Sequence, residues 1–195
     1  MKRFTFEQIA DAERGLKMIE DRSYLLAYRE FVAYFASLDV ITEHHLIIAA
    51  HFVFGWIPTT LQMRNTDRNL PLATSVLNRV KRGEMVGERE VTALKDLLKN
   101  CLSAATKILH FINPHAYPIL DSRVYLFING KANQNRQTAV PTYFEYLHNC
   151  LEVTRDQRFG PVRASMNKKI GYEVTALRAV ELIMYETGGS AEDQT

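Results

Sequence analysis

Two side chains in one stretch could together do chemistry at a sugar carbon. They are Lys107 and Asp121, in the run Ser103-Ala-Ala-Thr-Lys-Ile-Leu-His-Phe-Ile-Asn-Pro-His-Ala-Tyr-Pro-Ile-Leu-Asp-Ser-Arg-Val124. Breaking an N-glycosidic bond builds positive charge on the sugar ring. A carboxylate stabilises that charge or activates a nucleophile. A lysine amine in its neutral form attacks the anomeric carbon and forms a Schiff base. The departing base has to be held out of its stack, usually against aromatic faces. Phe111, Tyr117 and Tyr125 surround the two groups in sequence and are the candidates for that wall.

Other side chains join them with two readings each. His110 follows Lys107 by three residues on one helical face. It is either a proton shuttle beside the amine or a packed, hydrogen-bonded histidine, the commoner case for the residue type. Arg123 either orients Asp121 or meets a phosphate, or is surface charge. Trp56, the one tryptophan of the chain, is either a stacking surface for a base or core packing at a helix end. His44 and His51 share a helical face, but their separation is not the i, i+4 spacing of a helical zinc pair, so no metal site is expected. No cofactor motif is present: there is no glycine-rich phosphate loop, no Ser-His-Asp signature and no iron-sulfur or zinc cysteine spacing. Cys101 and Cys150 read as free thiols.

The elements that must position these groups read as helices. Apolar residues recur at helical spacing at Phe6, Ile9, Ala10, Leu16 and Ile19. A wider stripe holds Tyr24, Leu25, Tyr28, Phe31, Val32, Phe35 and Leu38. Thr42 is an N-cap for a helix over 44–54, and Gly55-Trp56-Ile57-Pro58 ends it. A helix is expected over 72–81, following Pro71. Another is expected over 88–102, with the option of running on into the Lys107 segment. Asn113-Pro114 breaks the Lys107 helix, and Asp121 stands at the start of the next one. A helix over 142–153, with Tyr143 and Tyr146 in its apolar pattern, and one or two helices over 162–184 complete the pattern, with a break at Gly160-Pro161. Strand alternation is poor and no hairpin turn joins two candidate strands. The expectation is an all-α, compact multi-helix domain over 1–187, with a flexible tail over 188–195.

Bulk composition narrows the class further. A chain of 195 residues, 47% hydrophobic and 24% charged, matches an ordinary soluble domain with one sizeable core. No apolar run has the length of a membrane span, and the N-terminus carries no apolar stretch of a secretory signal. A cytoplasmic protein with no membrane partner is the expectation. The net charge of +2 hides an asymmetry. Residues 61–120 hold nine Lys or Arg against five Asp or Glu, while the first sixty hold six against eight. The basic stretch includes Arg64, Arg68, Arg79, Lys81, Arg82, Lys95, Lys99 and Lys107. It is compatible with a surface that meets phosphates, and also with an ordinary solvated face.

The run from Thr106-Lys107 through an apolar helix to Ala116-Tyr-Pro-Ile-Leu-Asp-Ser-Arg-Val124 resembles the catalytic segment of the helix-hairpin-helix DNA glycosylase superfamily, nearest its 8-oxoguanine glycosylase/lyase branches. The Gly55-Trp56-Ile57-Pro58 and Asn113-Pro114 turns also resemble those of a group of bacterial proteins with a similar Lys-to-Asp segment. By position, the resemblance makes Lys107 the Schiff-base nucleophile and Asp121 the essential carboxylate. It implies an all-helical fold, DNA as partner, and cleavage of the bond to a modified base. The resemblance covers a short part of the chain and departs from the family in two places. Where the family has Leu-x-Gly-x-Gly before the lysine, this chain has Leu102-Ser-Ala-Ala-Thr-Lys107. Both glycines, whose bare backbone lets N–H groups approach a phosphate, are missing, and the stretch from lysine to aspartate is shorter. Two rivals follow. One is a helical module that binds nucleic acid or protein and has lost the chemistry. The other is a homo-oligomer joined through the aromatic stripe at Tyr24–Phe35.

Overall fold

A computed structural model describes residues 1–17, 19, 23–57 and 60–189 of the chain. Two expectations fall partly outside them: the role of Pro58 in ending a helix, and the tail beyond residue 189. The described residues form eleven α-helices and no strand, so the fold is all-α. They divide into two compact units, one of residues 1–22 and 118–195, the other of residues 23–117. Among the described residues, no helix is long and apolar enough to cross a membrane.

The first unit holds α1 (Phe6–Gly15), α7 (Ser122–Asn129), α8 (Gln134–Gln137), α9 (Val140–Arg155), α10 (Phe159–Ile170) and α11 (Ala176–Thr187). Helix α11 is its centre. It packs on α1, α7, α9 and α10, and eight consecutive residues, Leu177 to Met184, are buried. A helix buried all round normally lacks charge. Here Arg178 and Glu181 lie inside but pair with each other, as Lys169 does with Glu13. The N-terminal strand of chain is tied down by one amide: Asn149 accepts from the Phe4 N–H at 2.8 Å and donates to its carbonyl at 2.9 Å. Thr5 then caps α1 through a reciprocal box with Gln8.

Two expected boundaries move in this unit. Gly160 and Pro161 lie inside the first turn of α10 rather than at a break, because the N–H that proline lacks has no partner in a first turn anyway. The break between α9 and α10 falls just ahead of them, at residues 156–158, and a second comes at Gly171, whose φ of 82° ends α10 in the left-handed conformation. Gly188 is required for a different reason: a Cβ there would lie 2.3 Å from the carbonyl oxygen of Arg123.

The second unit holds α2 (Ser23–Ala36), α3 (Glu43–Phe54), α4 (Thr66–Lys81), α5 (Glu88–Leu97) and α6 (Leu102–Ile112). Helix α6 packs on the other four, and every residue from Ala104 to Phe111 is buried. Thr42 caps α3 as expected, with His45 as its reciprocal partner. Helix α4 begins one and a half turns before the expected start and contains Pro71. Helices α5 and α6 are separate. Between them the backbone turns through Lys99 (φ 55°) and Asn100 (φ 61°), two left-handed residues in succession, so the run-on that their helix-forming residues allow does not occur.

Burial separates the two cysteines. Cys150 is fully buried, and burial drives its thiol far above the ordinary range, whereas Cys101 is partly exposed. Only the thiolate reacts. Native protein is therefore expected to take up one equivalent of iodoacetamide, at Cys101, and the second only when unfolded. Peptide masses before and after denaturation check this. Equal labelling of both in the native state would contradict the burial.

Candidate functional site

Helix α6 fixes Lys107. Its side chain is 7% exposed, and Nζ donates to Oγ of Ser103, one turn back, at 3.0 Å. Among the described residues the ammonium makes no ion pair. The carbonyl of Ser103 accepts from the Thr106 hydroxyl at 3.1 Å, which holds that turn in register. A buried cation held by one neutral hydroxyl is costly compared with a paired or solvated one. Ser103, which the sequence reading passed over, is the partner that carries it. The i, i+4 spacing was the available signal.

His110 is the packed histidine. It is fully buried. Its Nδ1 lies 2.6 Å from the Tyr117 carbonyl and its Nε2 2.9 Å from the Tyr28 hydroxyl. A carbonyl only accepts, so Nδ1 carries the proton and Nε2 accepts from Tyr28, an assignment made from the geometry. Tyr117 is fully buried as well. Its hydroxyl accepts from the Val86 N–H at 2.9 Å and donates to the Glu84 carbonyl at 3.2 Å, and burial raises the phenol above its ordinary range. This chain of bonds anchors the end of α6 and the turn after it. Replacing His110 with Leu removes the donor to the Tyr117 carbonyl in the core. It is expected to cost about 1–3 kcal/mol of stability, read as a lower urea midpoint with an unchanged slope. An unchanged midpoint would contradict the assignment.

Phe111 lies at the centre of an aromatic group. Its ring is 5.1 Å from that of Phe31, 5.5 Å from Trp56 and 6.0 Å from Tyr28. Phe31 also stacks on Phe52 at 5.1 Å. Phe111 is buried, while Trp56 is half-buried and Phe52 is 40% exposed. The group therefore runs from the core of the second unit to its surface.

Asp121 belongs to the first unit, where it is the N-cap of α7. Its Oδ1 accepts from the Val124 N–H at 3.0 Å. Its other oxygen makes no hydrogen bond among the described residues, and the residue is partly exposed. The segment leading into it is pinned from α9: the Tyr143 hydroxyl donates to the Pro118 carbonyl at 3.1 Å, and the Tyr146 hydroxyl to the Ile119 carbonyl at 3.0 Å. Burial holds the Tyr146 phenol well above its ordinary range, so it remains a donor. These bonds span 25 and 27 residues of sequence, beyond the reach of any local pattern. Tyr125 is buried in α7. Arg123 donates from Nε to the Gly189 carbonyl at 3.3 Å and sits 4.9 Å from the Tyr185 ring centre. It makes no ion pair with Asp121 among the described residues.

The basic stretch divides by partner. Arg79 bonds Glu84 at 3.0 Å and Glu90 at 2.9 Å, and Arg82 bonds Glu84 at 2.8 Å. These contacts lower both glutamates below the usual carboxylate range. Lys81 donates to the Phe35 carbonyl at 2.8 Å. Arg64, Arg68 and Arg89 instead line one cleft of about 540 Å³ beside α4 and α5. His45 caps α3, and the His51 Nδ1 meets the Ile47 carbonyl at 2.8 Å. Among the described residues, no group of three or more His, Cys, Asp or Glu is placed to hold a metal ion. No family model, no curated protein and no solved structure matches this chain.

Proposed function

We propose that this chain is a reduced helix-hairpin-helix DNA glycosylase with lyase capacity, acting on the bond between a modified base and its sugar. The observation that carries the reading is Lys107: an ammonium 7% exposed and held by the Ser103 hydroxyl alone. Structural lysines are commonly solvated or paired with a carboxylate, and Lys107 is neither among the described residues. In the proposed reaction Lys107 loses a proton to water and its neutral amine attacks C1′ of the deoxyribose. The glycosidic bond breaks and its electron pair leaves with the base, which takes up the proton that the amine nitrogen gives up on attack. The C1′–O4′ bond then opens, its electron pair going to O4′, which takes the remaining nitrogen proton or one from water, and the Schiff base forms. Loss of a C2′ proton to water expels the 3′ phosphate by β-elimination. The resemblance to the glycosylase segment assigns to Asp121 the negative charge that stabilises the sugar cation. The support for that role is its anchoring: one oxygen is fixed on the helix terminus and the other is left for a ligand.

The test is borohydride reduction in the presence of an oligonucleotide carrying an abasic site or 8-oxoguanine. A covalent protein–DNA adduct is expected. A binding module without chemistry gives none. That second reading draws on α6 itself. The residues standing where the family has glycines, Ala104 and Thr106, are fully buried in it. A buried backbone there gives a phosphate no approach, so DNA has to be held by other groups.

A further inference from the structure

We infer that the cleft beside α4 and α5 grips a nucleic-acid phosphodiester backbone, taking over from the absent glycine clamp. The inference rests on the proposed function for its choice of ligand. Its physical basis is the way the second unit distributes its positive charge. Arg79, Arg82 and Lys81 are already satisfied by Glu84, Glu90 and the Phe35 carbonyl. The guanidinium groups of Arg64, Arg68 and Arg89 have no hydrogen-bond or ion-pair partner among the described residues, and all three line the cleft of about 540 Å³. All three arginines are exposed, so their donors stand open to an anion that enters the cleft. Their planar forks suit phosphate oxygens.

The scaffold holds them firmly. Arg64 lies beside the bridge between Met63 and Leu98, and its own N–H donates to the Leu97 carbonyl at 3.0 Å. Arg68 is in the first turn of α4 and Arg89 in that of α5, two helices that pack together. Asn100, in the left-handed turn that leads into α6, lines the same cleft. The cleft therefore adjoins the helix that carries Lys107. Its lining is mostly polar and includes no aromatic residue. The core of a protein interface draws on aromatic and apolar anchors. Backbone phosphates need only cations and neutral donors. Asp96 is the one carboxylate of the lining, and it opposes an anion.

The test uses the full chain and a fluorescent undamaged duplex oligonucleotide. Anisotropy is followed from about 50 to about 200 mM salt. Changing Arg64, Arg68 and Arg89 together to Gln is expected to lower the slope of log affinity against log salt by about two to three, equally on every sequence. Each single variant lowers it by about one, which keeps the test open if the triple variant fails to fold. Asp96→Asn tightens binding, a direction that misfolding does not produce. Arg29→Gln, a charge on α2 outside the cleft, leaves the slope at the wild-type value. An unchanged slope in the arginine variants, an equal loss from Arg29→Gln, or no salt-dependent binding at all overturns the cleft. Borohydride trapping separates this from the functional reading. Arginine-dependent binding without an adduct leaves the cleft standing and sinks the glycosylase. An adduct with arginine-independent binding does the reverse.

Discussion

Asp121→Asn leaves the protein folded and removes its turnover of a base-bearing substrate. The two halves of that result have separate causes. Asparagine is as good an N-cap as aspartate, so the bond from the Val124 N–H to the side chain survives, and stability should change by less than about 1 kcal/mol. The lost charge is another matter. A preorganised group facing charge that develops in the transition state is worth roughly 10²–10³ in rate, and a fall of about that size is expected in single-turnover base release. Asp121→Ala should show the same loss of rate together with about 1 kcal/mol of destabilisation. If Asp121→Asn keeps the wild-type rate, the carboxylate is only a cap.

Lys107→Gln abolishes covalent trapping on an abasic-site oligonucleotide and leaves the fold intact. Glutamine is close to lysine in reach and still hydrogen-bonds a hydroxyl, so the contact with Ser103 can persist. It removes a charge from a position 7% exposed, and stability is expected to stay level or to rise by about 1 kcal/mol, since an unpaired buried ion is a cost to folding. The loss of trapping should be complete, because an amide nitrogen forms no Schiff base. Ser103→Ala tests the support rather than the nucleophile. It leaves the ammonium without its hydroxyl, and trapping should slow without disappearing.

Much of the helical frame was legible in the sequence because its signals are local. Thr42 announces its own helix, Asn113-Pro114 ends α6, and the proline-rich approach to Asp121 marks the start of α7. Two misplaced boundaries involve proline. Pro71 lies inside α4, and Pro161 in the first turn of α10. At Pro161 the first turn needs no N–H, whereas α4 runs through Pro71 with the bond to the Asp67 carbonyl forgone. The break between α5 and α6 is made by Lys99 and Asn100, and no glycine or proline marks it.

The candidate site was legible in residue type and not in setting. Periodicity put Lys107 on a helix, but its burial depends on the packing of α2, α3, α4 and α5 around α6, which no local window contains. The same holds for charge. A count finds nine positive residues in the middle of the chain. Only the fold shows that Arg79 and Arg82 are spent on glutamates, while Arg64, Arg68 and Arg89 face one cleft. Tyr143 and Tyr146 read as core aromatics, and they are. Their hydroxyls also hold the segment ahead of Asp121, over a sequence separation that a pattern search does not span.

The most direct measurement is the identity of the trapped residue. Wild-type protein is incubated with an abasic-site oligonucleotide, reduced with borohydride, digested with nuclease and protease, and its peptides are weighed. The account predicts one modified peptide, carrying the sugar remnant on Lys107. A remnant on the N-terminal amine or on an exposed lysine, or no modified peptide at all, would contradict it.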